Sequence, residues 1–154
     1  VSRNLLEKNI VLGNALVDMY VRCSALANAE KVLFELPVRN TISWNSIIIG
    51  YVIQGQNFEA LEIFDEMQLD GVVLNAVTFA YSLKACGNIR SIDKGRELHA
   101  IVVQEGLLER YLILGNSLVY MYTKCGAFEE AQEVVNELSV RDLYQNEIGF
   151  PGKL

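Results

Sequence analysis

A long stretch of this chain returns, in register, 102 residues further on. Gly13-Asn14-Ala15-Leu16-Val17-Asp18-Met19-Tyr20-Val21-Arg22-Cys23 reappears as Gly115-Asn116-Ser117-Leu118-Val119-Tyr120-Met121-Tyr122-Thr123-Lys124-Cys125. Over the full match, 15 of the 31 positions from Ile10 to Asn40 are identical in Leu112 to Asp142. Unrelated helices do not hold register that long. A chain made of copies of one unit buries its apolar faces between neighbouring copies, so this sequence is expected to fold as a stack.

Two more units fit between the long copies. Ile42-Ser43-Trp44-Asn45 and Val77-Thr78-Phe79-Ala80 each open an amphipathic helix, which divides the chain into 10–40, 41–75, 76–111 and 112–142. Each unit carries two helical patterns. The first helices are expected at 12–23, 43–54, 78–86 and 114–124, and the second at 25–37, 57–68, 91–105 and 127–138. Asn57 and Ser91 are expected to cap the helices that follow them. The units are expected to end at Leu36-Pro37, Asp70-Gly71, Glu105-Gly106 and Leu138-Ser139. No segment alternates with period two, so no sheet is expected.

Several columns recur at fixed places. Ala29, Ala60, Gly95 and Ala131 are the twentieth residues of their units, and a small residue there lets the two helices of a pair approach closely. Val17, Ile48, Leu83 and Val119 form one core column, and Tyr20, Tyr51 and Tyr122 another. Cys23 and Cys125 read as small buried residues near a helix end. Three cysteines without a C-x-x-C make neither a disulfide framework nor a zinc site.

Together these residues resemble the pentatricopeptide repeat. The ordinary form is carried by Trp44-Asn45, Gly50-Tyr51, Glu59-Ala60-Leu61, Phe64-Asp65-Glu66-Met67 and Gly71. The long form is carried by Thr78-Phe79, Leu83, Ala85-Cys86, Lys94-Gly95 and Leu98-His99-Ala100, and the short form by Gly13 to Tyr20 and its twin. The order short, ordinary, long, short is similar to the plant subfamily in which such units alternate and specify C-to-U RNA editing sites in organelles. The resemblance implies an all-α fold, a right-handed helical-repeat solenoid of helix-turn-helix units, located in a mitochondrion or chloroplast. Val1–Asn9 is similar to the tail of a preceding long unit, so the chain reads as a piece of a longer array, and Leu143–Leu154 as an irregular tail. The alternative is the tetratricopeptide repeat, a protein-binding scaffold. Trp44, Tyr51, Ala60 and Phe64 fit that pattern, but Ile48 and Val72 stand where its glycine and proline belong.

The resemblance implies single-stranded RNA as partner, read about one base per repeat by the fifth and the last residue of each unit. These are Asn14 with Asn40, Asn45 with Asn75, and Asn116 with Asp142. A carboxamide offers a donor and an acceptor to a base edge. The pattern implies a pyrimidine for the two Asn/Asn units and uracil for Asn116 with Asp142. The second residues, Val11, Ile42, Val77 and Ile113, would wedge against base faces. An asparagine near a helix start also serves as a plain cap. The long unit pairs Ala80 with Tyr111 or Arg110; alanine cannot read a base edge, and this unit is expected to be a spacer.

A net charge of −6 ordinarily argues against a nucleic-acid partner. Its distribution removes the objection. The first helices hold Arg22, Lys84 and Lys124 against Asp18, whereas the second helices hold three cations against twelve acids. In a solenoid of this kind the first helices line the groove and the acids face out, leaving a groove of weak phosphate attraction. Three readers at ~1–3 kcal/mol each supply only modest affinity before ordering costs.

No catalytic constellation stands out, and neither a cofactor nor a metal is implied. Editing requires a zinc deaminase with H-x-E and P-C-x-x-C elements. His99 is followed by Ala100-Ile101 and falls in the column of Leu33, Phe64 and Val135, so a packing role is expected. A deaminase or editing cofactor would act in trans or from elsewhere in the protein. No apolar run reaches the ~18 residues of a membrane span, and no targeting peptide is visible. Ends without polar capping repeats are expected to favour self-association.

Overall fold

The computed structural model describes the backbone from Ile10 to Glu147 and side chains as far as Val140. The expectations for Val1–Asn9 and for Phe150-Pro151-Gly152 lie outside the described residues. Eight α-helices and no strand occupy the described residues. They are α1 (Ile10–Arg22), α2 (Leu26–Glu35), α3 (Thr41–Ile53), α4 (Asn57–Asp70), α5 (Ala76–Asn88), α6 (Ile92–Gln104), α7 (Leu112–Lys124) and α8 (Phe128–Glu147). None is long and apolar enough to cross a membrane. The chain divides into two compact units, one through Ala85 and one from Cys86 onward.

The two helices of each pair are joined by one repeated turn. In the second pair, Gly55 N–H donates to Val52 O (3.0 Å) and Gln56 N–H to Tyr51 O (2.8 Å). This is a Schellman turn, which needs a left-handed residue just past the helix. The left-handed residue is the fifteenth of every unit: Ser24 (φ 59°), Gly55 (φ 76°), Arg90 (φ 57°) and Gly126 (φ 75°). The turn therefore satisfies the last carbonyls of one helix and starts the next within two residues.

That geometry corrects the expected caps. Gln56, not Asn57, precedes α4, and Asn57 lies inside the helix, with its Nδ2 donating back to Gly55 O (3.2 Å). Ser91 does stand at the start of α6, but its side chain makes no capping bond. The Schellman turn leaves no room for a side-chain cap at these starts.

In the first compact unit, α1 packs on α2 and α3 on α4, and α3 also meets both helices of the first pair. Val17, Leu33, Trp44, Ile48, Phe64 and Leu83 are fully buried. Phe34 meets Trp44 edge-on (5.7 Å between centroids) and Phe64 meets Phe79 the same way (6.0 Å). In the second unit, Leu98, Val102, Leu114, Leu118 and Met121 form the core.

Close approach occurs both between pairs and within one, where a Cβ at Gly115 would lie 2.4 Å from Leu138 Cδ1. A Cβ at Gly95 would lie 2.4 Å from Met121 Sδ, on the first helix of the following pair, and one at Gly50 would lie 2.6 Å from Leu26 Cδ2 on the preceding pair. At Gly95 the small residue admits the neighbouring pair. Cys23 is exposed rather than buried, because it follows the end of α1 on the turn. The last helix does not stop at Leu138: α8 continues through Glu147, since neither glycine nor proline interrupts the chain before Gly149.

The first two helix pairs differ by one helical turn. α2 has 10 residues and α4 has 14. The loops that follow, 36–40 and 71–75, are the same length. Four residues are close to one turn of 3.6, so the shorter unit loses a turn and the residues after it keep their phase.

Candidate functional site

The ends of the first two units are held to each other. The Arg39 guanidinium grips Asp70 with two bonds, Nη2 to Oδ1 at 2.7 Å and Nε to Oδ2 at 3.0 Å, and Nη1 reaches Leu36 O at 3.2 Å. Trp44 Nε1 donates to Asp70 Oδ2 (3.3 Å). Arg39, with a smaller contribution from Trp44, holds the Asp70 carboxyl below its ordinary value. Further on, Thr41 Oγ1 donates to Val73 O (2.7 Å). These bonds fix the loops that carry Asn40 and Asn75.

Asn40 precedes α3 with extended backbone, and its Oδ1 accepts from Ser43 N–H at 2.9 Å. Asn75 precedes α5 and accepts from Thr78 N–H at 3.2 Å. Both unit-end asparagines therefore cap a helix with the carboxamide oxygen, which leaves Nδ2 free to project. Asn14 and Asn45 are not caps. They sit in the second turn of α1 and α3 and meet the next unit: Ser43 Oγ donates to Asn14 Oδ1 (2.7 Å), and Thr78 Oγ1 donates to Asn45 Oδ1 (2.7 Å).

The structure thus brings Asn14 together with Asn40, and Asn45 together with Asn75. In the first case Asn14, Val17, Asp18, Asn40, Ile42 and Ser43 line an open cleft of about 410 Å³. In the second, Asn45 Nδ2 donates directly to Asn75 Oδ1 (3.0 Å), and Asn45 is only 6% exposed. Asn116 is exposed on α7, and its side chain makes no hydrogen bond among the described residues. Asp142 lies on α8, but its side chain is outside the described residues, so its pairing with Asn116 is not seen.

The four proposed wedges all reach solvent: Val11 is 79% exposed, Ile42 75%, Ile113 49% and Val77 39%. An aliphatic side chain this open at the same place in every first helix is not part of a core. Ala80 is buried on α5 and presents no polar group, and Tyr111 precedes α7.

Sequence reasoning missed Ser43 and Thr78. Both are buried and polar, and each bonds to the fifth residue of the preceding unit. The signal was present in the third column, which reads Leu12, Ser43, Thr78, Leu114: a hydroxyl follows the units of Asn14 and Asn45, and Leu114 follows the unit that has Ala80.

Comparison with known proteins names this arrangement. The PPR repeat family profile matches residues 39–88, and a PPR repeat profile matches residues 116–143. Together they cover half of the chain. The chain belongs to the pentatricopeptide-repeat family. A mitochondrial pentatricopeptide repeat-containing protein of Arabidopsis thaliana is 39% identical over 86% of this chain and 13% of its own length. A chloroplastic one from the same plant is 40% identical over 88% of this chain and 17% of its own length. The chain spans less than a quarter of the length of the curated relatives it matches. The crystal structure of the pentatricopeptide repeat protein PPR10 from maize superposes with a TM-score of 0.64 at 29% identity, covering 90% of this chain and 20% of that one. PPR10 in complex with an 18-nt psaJ RNA element superposes with a TM-score of 0.62 at 30% identity, over 84% of this chain and 20% of that one. The all-α class of paired-helix pentatricopeptide repeats is what the sequence led one to expect.

Proposed function

We propose that this chain binds single-stranded RNA, setting one base against each unit that carries an asparagine in fifth place. The observation that carries the reading is the recurring group of a fifth-place asparagine, a unit-end asparagine and an exposed aliphatic residue, gathered from two successive units. The carboxamides supply edge hydrogen bonds, and Val11, Ile42 and Ile113 supply apolar surface for base faces. RNA in the PPR10 complex is consistent with this use of the fold.

In this reading the units are 10–40 (short), 41–75 (ordinary), 76–111 (long) and 112–142 (short), with Val1–Asn9 belonging to a preceding long unit. The two Asn/Asn pairs select pyrimidines, Asn116 with Asp142 selects uracil, and the long unit spaces them. The protein acts in a mitochondrion or chloroplast, as relatives named for both organelles suggest, and takes part in transcript processing or C-to-U editing-site recognition. A deaminase or editing cofactor acts in trans.

The test is fluorescence-anisotropy binding of the 154-residue chain to pyrimidine and purine oligonucleotides, with Asn116→Ala as the variant least able to disturb the fold. Wild type should prefer pyrimidines, and the variant should lose part of that preference, by about 1–3 kcal/mol per reading contact. Equal binding to all oligonucleotides, or none, with capture of an extended peptide instead, would favour a protein-binding scaffold.

A further inference from the structure

The hydrogen bonds around Asn45 admit only one pattern. Asn75 Oδ1 must be an oxygen, because Thr78 N–H donates to it at 3.2 Å. The Asn45 atom 3.0 Å away must then be Nδ2, since two carboxamide oxygens would repel. That turns Asn45 Oδ1 toward Thr78 Oγ1 at 2.7 Å. The hydroxyl has one proton and takes the Asn75 N–H (3.2 Å) on a lone pair. Its proton goes to Asn45 Oδ1, because the alternative, Asn75 Oδ1 at 3.1 Å, already holds two donors. What remains open is one N–H of Asn45 and both of Asn75.

We infer that Ser43 and Thr78 are specificity-determining residues for the units before them: each hydroxyl engages the oxygen of the reading asparagine, so that a base meets N–H donors and no acceptor. This rests on the RNA-binding reading above. A hydroxyl at the third helical residue ordinarily serves to cap its own helix by accepting from the residue before it. Thr78 does this with a lone pair and still directs its proton onto the preceding unit. Ser43 makes only the second bond: its Oγ reaches Asn14 Oδ1 at 2.7 Å, while Asn40 Oδ1 is occupied by Ser43 N–H at 2.9 Å. Both hydroxyls are withdrawn from solvent, so neither is held there by hydration. In the register of the long unit, Ala80 in fifth place is followed by Leu114 in third, and amide and hydroxyl vanish together.

The chemistry selects a class of ligand. A face of donors pairs with two neighbouring acceptors, as on the O2 and N3 edge of cytosine. It pairs poorly where a base offers N–H at the same place, as uracil does at N3. Removing the hydroxyl frees an acceptor and admits such bases.

The decisive measurement compares the affinity of the 154-residue chain for oligocytidine, oligouridine and oligoadenosine in wild type, Thr78→Val, Thr78→Ser and Ser43→Ala. Thr78→Val keeps the side-chain shape and removes the proton. Its cytidine preference should fall about tenfold, the worth of one lost discriminating contact, and Thr78→Ser should keep it. Ser43→Ala should act the same way at the first cleft if Thr78→Val fails to fold. An unchanged ratio in both deletions overturns the inference. If wild type binds none of the oligonucleotides, the RNA reading fails. The orienting role is then read by NMR: the Asn45 side-chain amide should be slow to exchange in wild type and Thr78→Ser and fast in Thr78→Val, and an unmoved signal overturns it.

Discussion

The cleft at Asn14 and Asn40 and the one at Asn45 and Asn75 use the same residue types at the same register, but the first is open and the second is closed. In the first, the two carboxamides bond separately to Ser43, one to its hydroxyl and one to its N–H. In the second, Thr78 also accepts from Asn75 N–H, and the two carboxamides bond to each other. Where the third residue makes this extra bond, the unit-end asparagine lies against Asn45, which is buried. Two identical amino-acid pairs therefore present different faces, and the difference is set by a residue of the next unit.

The largest effect that would separate the clefts is on stability. Asn45→Ala removes two hydrogen bonds of a buried carboxamide, one from Thr78 Oγ1 and one to Asn75 Oδ1, and should cost about 1–3 kcal/mol in urea unfolding. Asn14→Ala removes a bond at an open cleft and should cost about 0.5–1.5 kcal/mol. Equal losses would mean that burial does not distinguish the two sites.

The same two units differ at their turns, which gives a middle-sized test. Gly55 holds the left-handed position in one and Ser24 in the other. Nothing lies within 4 Å of a Cβ at Gly55, so the cost of Gly55→Ala is conformational and should be about 1 kcal/mol. Ser24→Gly should stabilise by a smaller amount, some tenths of a kcal/mol, because relief of strain is partly offset by unfolded-state entropy. Thermal unfolding of both variants checks the signs; a stabilising Gly55→Ala would remove the left-handed turn from the account.

The smallest effect tests whether the contrast between clefts depends on protonation. His99, in the other compact unit, is half-buried, and its Nδ1 lies 2.6 Å from Tyr122 Oη. Burial holds its pKa below the ordinary histidine value of 6.5, against the opposing influence of Glu137 and Glu130. The folded state thus binds fewer protons than the unfolded state in this window, so stability from this site is complete above about pH 6.5 and is lost as pH falls toward the folded value. His99→Leu, the residue of the same column at Leu33, should flatten the fall in melting temperature between about pH 7.5 and 5.5. The ratio of affinities at the two asparagine clefts should be the same in both proteins.

Much of this was legible in the chain. The helix pairs and their order follow from periodicities within a unit. The asparagines recur at a fixed offset, but their reading role and that of the aliphatic second residues are what the family resemblance implies. The errors have local causes. Asn57 looked like a cap because composition does not reveal a Schellman turn, which is set by backbone bonds from Gly55 and Gln56. At Gly95 the close neighbour is Met121 of the following pair, which was missed because sequence shows that a residue is small, not which helix comes close. Leu138 looked like an end only by analogy with Leu36, although no glycine or proline follows it there.

The sequence by itself determined which residues are repeated, since repetition and helical phase are properties of one chain read in order. Only the tertiary structure decided what those residues present. The groups that orient Asn14 and Asn45 lie 29 and 33 residues away, on the helix of the next unit. A hydrogen bond depends on which atoms meet and not on which residues are near in sequence. The orientation of a carboxamide, donor or acceptor outward, is therefore settled by packing between units.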